Sequence, residues 1–507
     1  MVKSNQTSTI SPIFEPDVSR QIQELGLDVS VIQVHQHQIL RHLSAGSPRV
    51  FPIIDTCRLD NGGILRLPDA DTSFSGAHIP LVALVPAAGA SSRYLAPLVP
   101  LMNALKTADA GLCIEALRKL AAEGYLNCPL PQSVLELVTF FETSRDMPPP
   151  DLATRVLLEI DAPKALYPAV LDGVTFLDVK RMEHKAIGDF VAEVYVCPPG
   201  RKEEFLELAK ARDTQFPVQC YEQDSSLATT RFDTDGRVAR DGAGQVSMVP
   251  AGHGSLLRLL PRVARDFQGS RGVFIRNIDN VAGIAQGATE AARKFLLAFK
   301  WSLSQMDIIR TCLDNNDSKN LQIAAQRLLK FWGIDVVPEE SAISTLITKL
   351  FHTSLDEEDV SLRSLCRRPF VLMGQVPNTS QDVGGTCVFT EIDGVQQKLC
   401  LEVPHASETD RKIFLENPHK ATHFNPVFVA AEIPDENILR GWQDHPFWLV
   451  AKKSWQGRDT YYQESILYEM LGSSHYTNVI FTEVPRLVFN PHKTLKDAGS
   501  KTLRDWT

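Results

Sequence analysis

The sequence lacks the features that mark membrane, secreted and disulfide-bonded proteins. Its most apolar stretch, Ile79–Ala90, is shorter than the ~20 residues that a helix needs to cross a bilayer, and Pro80 and Pro86 interrupt it. The first residues, MVKSNQTSTISPIF, have no apolar core of the kind that a secretory signal carries. The nine cysteines are scattered and form no CxxC pair, which predicts reduced thiols rather than a disulfide framework or a zinc site. We therefore expect a cytoplasmic protein without a membrane partner.

The sequence also lacks an excess of basic residues. It has 52 Lys and Arg against 61 Asp and Glu, so its formal net charge is −9 and its pI is about 5.8. A protein that binds nucleic acid irrespective of sequence neutralises phosphates with a basic surface, so no nucleic-acid partner is expected. A nucleotide is not excluded, because a few lysines and backbone N–H groups in a cleft can hold it whatever the global charge.

The first half of the chain has the pattern of an α/β protein. Its 507 residues, 44% hydrophobic and 22% charged, suffice for two or three domains or one large domain with insertions. The apolar periodicity within residues 1–77 predicts an N-terminal helical region. Residues 78–284 alternate apolar runs such as HIPLVALVPAAG and FVAEVYVC with amphipathic segments, which is typical of a nucleotide-binding α/β core with a largely parallel sheet. We interpret VTFLDV, at 174–179, as a further strand.

The second half divides into a helical and a β-containing part. Residues 285–365 have helical periodicity and no strand signals, which predicts a helical insertion. From 366 to 507 β-like runs return, with hairpin cues at Gly384-Gly385 and Asp393-Gly394. We expect a helix over Glu464–Leu471.

The segment Leu84–Tyr94 leads a buried strand into a turn of small residues. Small side chains let the backbone approach a triphosphate, and exposed N–H groups favour anionic oxygens. Arg93 adds a guanidinium for phosphate. The alternative is a plain turn between a strand and a helix. The candidate nucleotide-binding residues of the turn are Ala88, Gly89, Ala90, Ser91 and Ser92.

A second strand, in Val273–Val281, ends in Asp279-Asn280. Open α/β folds place their ligands at the carboxyl edge of the sheet. Magnesium takes one or two carboxylates plus phosphate oxygens rather than an all-protein cage. Asp279 is therefore the predicted metal ligand, and Asn280 would orient it or the substrate.

Other motifs are uninformative singly, since each side chain in them can be a solvated one. They are PKALYP, VQCYEQ, PAGHGS, LCLEV, HFNP, WLVAKK and FNPHKTLKD. Their candidate residues are Lys164, Gln223, Gly252, His253, Glu402, Asn425, Lys452, Lys453 and Lys493. Gly252 and Gly254 would permit a close backbone approach that a Cβ would block.

The order of these motifs along the chain resembles that of the UDP-sugar pyrophosphorylases. Those GT-A-like nucleotidyltransferases carry AAGxSSRM, PK-L-P, P-x-G-H-G, a strand ending in DN, vvEY, an asparagine strand, hvA-KK and F-x-P-x-K. The resemblance implies a GT-A/Rossmann-like fold, a Mg²⁺ cofactor, and transfer of a nucleotide from a nucleoside triphosphate to a phosphorylated small molecule. It also implies that the C-terminal part, 366–507, completes the acceptor-binding side of the core.

The resemblance also implies a role for each candidate residue. The catalytic residues would be Arg93, Lys164, Asp279 and Lys493, with the first two on the departing pyrophosphate and Lys493 on the acceptor phosphate. Gln223 and Gly252 would contact the nucleotide. The acceptor would meet His253, Asn280, Glu402, Asn425, Lys452 and Lys453.

Over nearly its full length the chain is also similar to an uncharacterised bacterial family known as a domain of unknown function. It departs from the pyrophosphorylases in a shorter glycine turn, in Ser255 after the GHG motif, and in Val403 where an aromatic residue is usual. These departures leave the nucleotide and the acceptor open. The alternatives are a non-catalytic nucleotide- or nucleotide-sugar-binding protein and a GT-A glycosyltransferase.

Overall fold

The apolar runs of the sequence form the strands of a central sheet. The computed structural model describes residues 14–45, 53–69, 78–89, 92–188, 190–210, 215–282, 286–337, 340–353, 362–379, 384–392, 395–402, 406, 410, 412, 420–434, 449–465 and 467–499. The strands are β1 (Ile53–Thr56), β2 (Leu65–Arg66), β3 (Leu81–Pro86), β4 (Phe190–Cys197), β5 (Val218–Glu222), β6 (Ala228–Thr230), β7 (Met248–Pro250), β8 (Gly272–Arg276), β9 (Phe370–Pro377), β10 (Gly385–Ile392), β11 (Val395–Glu402), β12 (His423–Phe424), β13 (Phe428–Glu432), β14 (Leu449–Trp455), β15 (Arg458–Glu464) and β16 (Asn478–Glu483).

The central sheet is largely parallel, as predicted. Its strand order is β2-β16-β9-β13-β8-β3-β4-β5, and β12 pairs with β9. β13 is antiparallel to both of its neighbours, β8 and β9. The other pairs along this path are parallel. Smaller sheets combine β1 with β10 and β11, β6 with β7, and β14 with β15.

Helices connect the strands and cover the sheet. They are α1 (Pro16–Glu24), α2 (Val29–Ala45), α3 (Ser92–Leu95), α4 (Val99–Lys106), α5 (Ala110–Ala122), α6 (Gln132–Thr143), α7 (Pro150–Ile160), α8 (Phe176–Ile187), α9 (Lys202–Lys210), α10 (Leu260–Asp266), α11 (Gln286–Asp314), α12 (Ser318–Phe331), α13 (Ala342–Thr345), α14 (Leu362–Arg367), and two short helices, Leu467–Leu471 and Leu495–Ala498. Among the helices that the structure describes, none has the length and apolarity to span a membrane.

Both faces of the sheet are buried, as the continuous apolar composition of its strands requires. On β3, Leu81 and Ala83 belong to the core that packs against α11 and α12. Val82 and Leu84 point to the opposite face, into the core that includes Leu260 of α10. Successive residues of β3 thus contribute to opposite cores, as the pleat of a strand requires.

The N-terminal region is helical only in part. The prediction is confirmed for residues 14–45, where α1 and α2 pack against a core that includes Phe232 and Val450. Residues 53–66 instead contain β1, which pairs with β10, and β2, which pairs with β16 at the edge of the central sheet. These strands are short, and so the alternation that would reveal them extends over few residues.

The interpretation of VTFLDV as a strand was wrong. Helix α8 begins at Phe176, and Thr175 is its N-cap. The Thr175 hydroxyl accepts from the Asp178 amide at 3.1 Å, while the Asp178 carboxylate accepts from the Thr175 amide at 3.0 Å. This capping box satisfies two backbone donors and starts the helix despite the apolar composition of the segment.

In the second half the hairpin predicted at Gly384-Gly385 was wrong, because β9 and β10 lie in different sheets. Within the described part of 285–365 the regular elements are helices, and β10 pairs with β11 around the Asp393-Gly394 cue, which itself lies outside the described residues. The helix expected over Glu464–Leu471 begins only at Leu467, because β15 extends to Glu464. Within 366–507, strands β9, β13 and β16 enter the same sheet as β3, whereas β10, β11, β14 and β15 belong to the smaller sheets.

Candidate functional site

Nine of the residues singled out from the sequence meet at the carboxyl edge of the sheet. They line one cavity of about 410 Å³. β4 and β5 follow β3 on one side and β8 lies on the other, so the strand order reverses between β3 and β8. Open α/β folds bind ligands outside the sheet at such a reversal. The segments that follow these two strands, 88–89 and 277–279, both line the cavity.

The cavity has an excess of positive charge. The nine residues are Ala88, Gly89, Arg93, Lys164, Gln223, Gly252, His253, Asp279 and Lys493. Pro86, Tyr94, Val196, Leu256, Asn277 and Ile278 complete the lining. Three of the lining side chains are Lys or Arg and one is a carboxylate, although the whole chain has a formal net charge of −9. A concave site with this charge attracts anions.

The turn after β3 forms one wall of the cavity. The Ala87 amide donates to the Val196 carbonyl at 2.9 Å, which holds the turn against the end of β4. Gly89 is exposed, and Arg93 extends from α3 into solvent at the cavity. Ser92 is the first residue of α3. The predicted residues Ala90 and Ser91 lie outside the described residues.

Lys164 is a buried cation at the wall of the cavity, with 6% of its surface exposed. Its Nζ donates to the His492 carbonyl and lies 3.8 Å from Asp279 Oδ2. The ammonium also lies 4.8 Å from the centre of the Tyr94 ring. Burial lowers the pKa of Lys164 to about 8, although Asp279 acts to raise it. Lys164 is therefore a largely dehydrated lysine at the cavity wall.

Asp279 and Lys493 are brought together by segment 488–493, which we call the strap. The His492 amide donates to the Asp279 carbonyl at 2.9 Å, and the Val281 amide donates to the Asn490 carbonyl at 2.9 Å. The Asp279 side chain retains 29% of its exposure. Lys493 is half-buried, and its amide donates to Asp497 Oδ2 at 2.8 Å, just before a capping box that starts the last short helix.

The GHG loop forms the opposite wall of the cavity. Gly252 has φ 82° and ψ 173°, a conformation that is essentially restricted to glycine. A Cβ on this residue would lie 2.6 Å from the Ser465 carbonyl oxygen. The Gly254 amide donates to that same oxygen at 2.9 Å, and the Ser465 amide donates to Ala251 at 2.8 Å. The loop is thereby joined to the end of β15.

Two further candidates lie beside this loop. His253 Nε2 is 3.8 Å from Glu402 Oε1, and both side chains are about one third exposed. Glu402 is thus placed beside the cavity, next to a lining residue. Gln223 follows β5 and lines the cavity. Its backbone N–H donates to the Cys197 carbonyl at 2.8 Å.

Six of the predicted residues that the structure describes are not among the lining residues: Ser92 and Glu402, which lie next to lining residues, and Asn280, Asn425, Lys452 and Lys453. Asn425 is fully buried, and its side chain donates to the Gly374 carbonyl at 2.7 Å and accepts from the Val427 amide at 2.9 Å. Asn280 is also buried and binds the backbone of the strap. Lys452 and Lys453 are exposed on the β14–β15 hairpin.

Some residues of the site were missed in the sequence. Tyr94 and Asn277 lie next to predicted residues, but nothing in their spacing distinguishes them. A buried charged cluster, Lys180, Glu183 and Arg276, lies behind the cavity. Its first two members are three residues apart on α8, a helical spacing that the strand interpretation obscured. The charge of Arg276 within an apolar strand was the available signal, since such residues are rarely buried without a partner.

The comparisons with known proteins identify a family. The model described as Domain of unknown function (DUF4301) matches residues 201–502. No curated protein matches the chain.

Several solved structures are similar to the chain at low identity. One is a UDP-glucose pyrophosphorylase from Leishmania major, with 12% identity and a TM-score of 0.48, over 95% of this chain and 77% of that one. Another is a protein from Trypanosoma brucei described as a UDP-glucose phosphorylase, with 14% identity and a TM-score of 0.49 over the same shares.

Proposed function

The chain belongs to the DUF4301 family, and we propose that it is a nucleotidyltransferase of the pyrophosphorylase type. In this proposal it transfers a nucleoside monophosphate from a nucleoside triphosphate, UTP, to a sugar 1-phosphate or a similar phosphorylated acceptor, and it releases pyrophosphate. The observation that carries the proposal is the cavity at the strand-order reversal, where Arg93, Lys164 and Lys493 meet a single carboxylate, Asp279.

This charge pattern suits a reaction between two polyanions. An oxygen of the acceptor phosphate attacks the α-phosphorus, the bond from that phosphorus to the bridging oxygen of the β-phosphate breaks, and pyrophosphate leaves. The attacking oxygen is already anionic, so no side chain has to remove a proton and no covalent intermediate is needed. The protein has to hold the two anions in line and neutralise the charge that develops.

The positions of the three cations support a division of labour. Lys164 and Arg93 lie beside the small-residue turn and would hold the β- and γ-phosphates, which become the departing pyrophosphate. Lys493 lies on the strap and would hold the acceptor phosphate. A neutral Lys164 could not do this, so its ammonium has to remain protonated in the complex.

The residues present fit a magnesium ion bound together with phosphate. Among the described residues there is no group of three or more His, Cys, Asp or Glu side chains that could hold a metal by themselves. Magnesium accepts one or two carboxylates and completes its shell with phosphate oxygens and water. Asp279 is the partly exposed carboxylate of the lining and would hold the ion. When bound, magnesium would neutralise phosphate charge.

The GHG loop would contact both substrates. Gln223 and Gly252 lie beyond the small-residue turn and would contact the nucleotide. His253, paired with Glu402, would contact the acceptor beside the GHG loop. This arrangement keeps the predicted roles of these four residues.

The test is a substrate panel. The protein and Mg²⁺ are incubated with each nucleoside triphosphate against sugar phosphates and other phosphorylated metabolites, and pyrophosphate release is followed. We expect release that requires one triphosphate and one acceptor, and that is lost in Asp279→Ala. If calorimetry detects no binding of any triphosphate, the proposal is wrong. Tight binding without release from any pair would favour a non-catalytic nucleotide-binding protein.

A further inference from the structure

Three charged side chains lie behind the cavity wall, almost completely buried. Lys180, Glu183 and Arg276 are 0%, 4% and 1% exposed. Glu183 accepts from Lys180 Nζ at 2.7 Å through one carboxylate oxygen, and its other oxygen lies 2.8 Å from Arg276 Nη1. Removing such charges from water costs about as much as their attraction returns, so a buried cluster adds little to stability by itself. The role of the cluster therefore depends on the hydrogen bonds that its members make to other parts of the chain.

Those contacts go to the two segments that carry Asp279 and Lys493. Lys180 Nζ donates to the Asn280 carbonyl at 2.7 Å, directly after Asp279. Arg276 Nη2 donates at 3.1 Å to the carbonyl of Val488, the first residue of the strap. Each cation of the cluster thus binds Glu183 and one of the two segments.

Asn280 joins the same two segments directly. Its Nδ2 donates to the Val488 carbonyl at 3.3 Å, and its Oδ1 accepts from the Asn490 amide at 2.9 Å. The strap is therefore held by a contiguous set of hydrogen bonds that begins at the charged cluster. It ends at the bond from Lys164 to the His492 carbonyl.

The charges of the cluster are complementary to Asp279. Burial lowers the pKa of Lys180 to about 8, while Glu183 and Asp279 act to raise it. Burial acts to raise the pKa of the Glu183 carboxyl, but Arg276 and Lys180 outweigh it, so the net shift is downward. Two cations and one anion leave an excess of one positive charge, and Asp279 is one of the carboxylates that favour the charged form of Lys180.

We infer that Lys180, Glu183 and Arg276 are positioning residues, which fix the strap against the Asp279 loop and thereby set the separation of Lys493 from the Asp279–Lys164 pair. The catalytic consequence rests on the proposed function. The positioning of the strap does not depend on the proposed function, and hydrogen exchange of the strap amides measures it separately.

The test compares two buried lysines. Lys180→Met removes the ammonium that binds the Asn280 carbonyl. The matched control is Lys398→Met, because Lys398 is 1% exposed, donates to the Leu350 carbonyl at 2.9 Å, and is not among the residues that line the cavity. Burial lowers the pKa of Lys398 to about 8 as well. Hydrogen exchange of the strap amides and calorimetry with magnesium pyrophosphate are measured on both full-length variants.

We expect the Asn490 and His492 amides to exchange about tenfold faster in Lys180→Met than in the wild type, the effect of losing one charge-assisted hydrogen bond. Pyrophosphate should bind more weakly by a similar factor. Lys398→Met should leave both quantities unchanged. Equal strap exchange in the two variants would overturn the inference.

A second variant covers the case in which Lys180→Met does not fold. Arg276→Lys keeps a cation for Glu183 but loses the reach to Val488, so it should accelerate exchange in the strap and not in the β14–β15 hairpin. Uniform acceleration in both segments would count against the inference. If the wild-type protein binds neither pyrophosphate nor any triphosphate, the proposed function fails, and strap exchange alone then decides the positioning role.

Discussion

Two lysines of this molecule form ion pairs of the same length in opposite surroundings. Lys180 Nζ lies 2.7 Å from Glu183 Oε2 in the buried cluster behind the cavity. Lys452 Nζ lies 2.7 Å from Asp459 Oδ2 across the β14–β15 hairpin, where both side chains are at least half exposed. Burial lowers the pKa of Lys180. The hydrogen bond that Lys452 donates to Asp459 raises the pKa of Lys452.

The difference shows that distance alone does not reveal what an ion pair does. Water screens the hairpin pair, and either partner can be lost with little effect because the other is solvated. In the buried cluster no water can replace a lost partner. The buried cluster binds the Asp279 loop through Lys180 and the strap through Arg276. The hairpin pair connects adjacent strands that backbone hydrogen bonds already join.

The largest effect should follow from breaking the buried pair. Glu183→Gln leaves Lys180 and Arg276 without their shared carboxylate, and it should lower the free energy of unfolding by about 3–5 kcal/mol. Urea denaturation measures this. Asp459→Asn makes the same chemical change on the hairpin and should leave the urea midpoint where it is. Equal shifts for the two variants would remove the distinction between the regions.

The next largest effect concerns turnover. Asp279→Ala removes the carboxylate of the cavity and should lower turnover by a factor on the order of 10²–10³, as the loss of a comparable charge stabiliser does. The fold should stay intact by circular dichroism. Asp459→Ala removes an exposed carboxylate from the hairpin and should leave turnover unchanged. A fully active Asp279→Ala protein in magnesium would refute the metal assignment.

The residues of the site that belong to short sequence motifs could be predicted from the sequence. The small-residue turn, PK, GHG and DN elements each follow a strand or a short loop, and the order of strands brings their ends together. Arg93 and Asp279 could be predicted from the strands that precede them, whereas Lys164 and Gly252 were predicted from the resemblance in motif order. All four line the cavity. The parallel sheet followed from the same apolar runs.

The rest depends on contacts between residues that are far apart in the chain. Asn280 binds Val488 and Asn490, more than 200 residues away, so its structural role could not be read from the DN motif. Asn425 likewise satisfies its amide on the backbones of Gly374 and Val427. An asparagine that binds substrate and one that binds backbone have the same appearance in a sequence.

Gly252 lies where the cavity meets the β14–β15 hairpin, because the GHG loop is hydrogen-bonded to the end of β15. Gly252→Ala would place a Cβ 2.6 Å from the Ser465 carbonyl oxygen in a backbone conformation that disfavours it. We expect a loss of about 1–3 kcal/mol in the free energy of unfolding, the usual cost of such strain. Pyrophosphate binding should weaken too, since the loop lines the cavity. Gly242→Ala is the control, because its Cβ would meet no atom within 4 Å. A Gly252→Ala protein as stable as this control would contradict the assigned strain.

The smallest expected effect is a pH dependence of the reaction. We expect it from the buried Lys164 and not from the exposed Lys452. Burial lowers the pKa of Lys164 to about 8 from the ordinary value of 10.5. Above pH 8 the free protein loses this cation, so kcat/KM should fall about tenfold per pH unit as the pH rises. The stability contribution has the opposite sign: between pH 8 and 10.5 the unfolded chain binds the proton that the folded chain has lost, so this group favours folding increasingly across that window.

Lys164→Arg separates the two effects, because a guanidinium remains charged throughout this range. Whatever its absolute rate, this variant should have no descending limb near pH 8, while Lys452→Met should keep the limb of the wild type. Pyrophosphate release measured from pH 6 to 10 gives the comparison. If the limb persists in Lys164→Arg, another group loses the proton, and the buried cation of the cavity is not the one that limits the reaction.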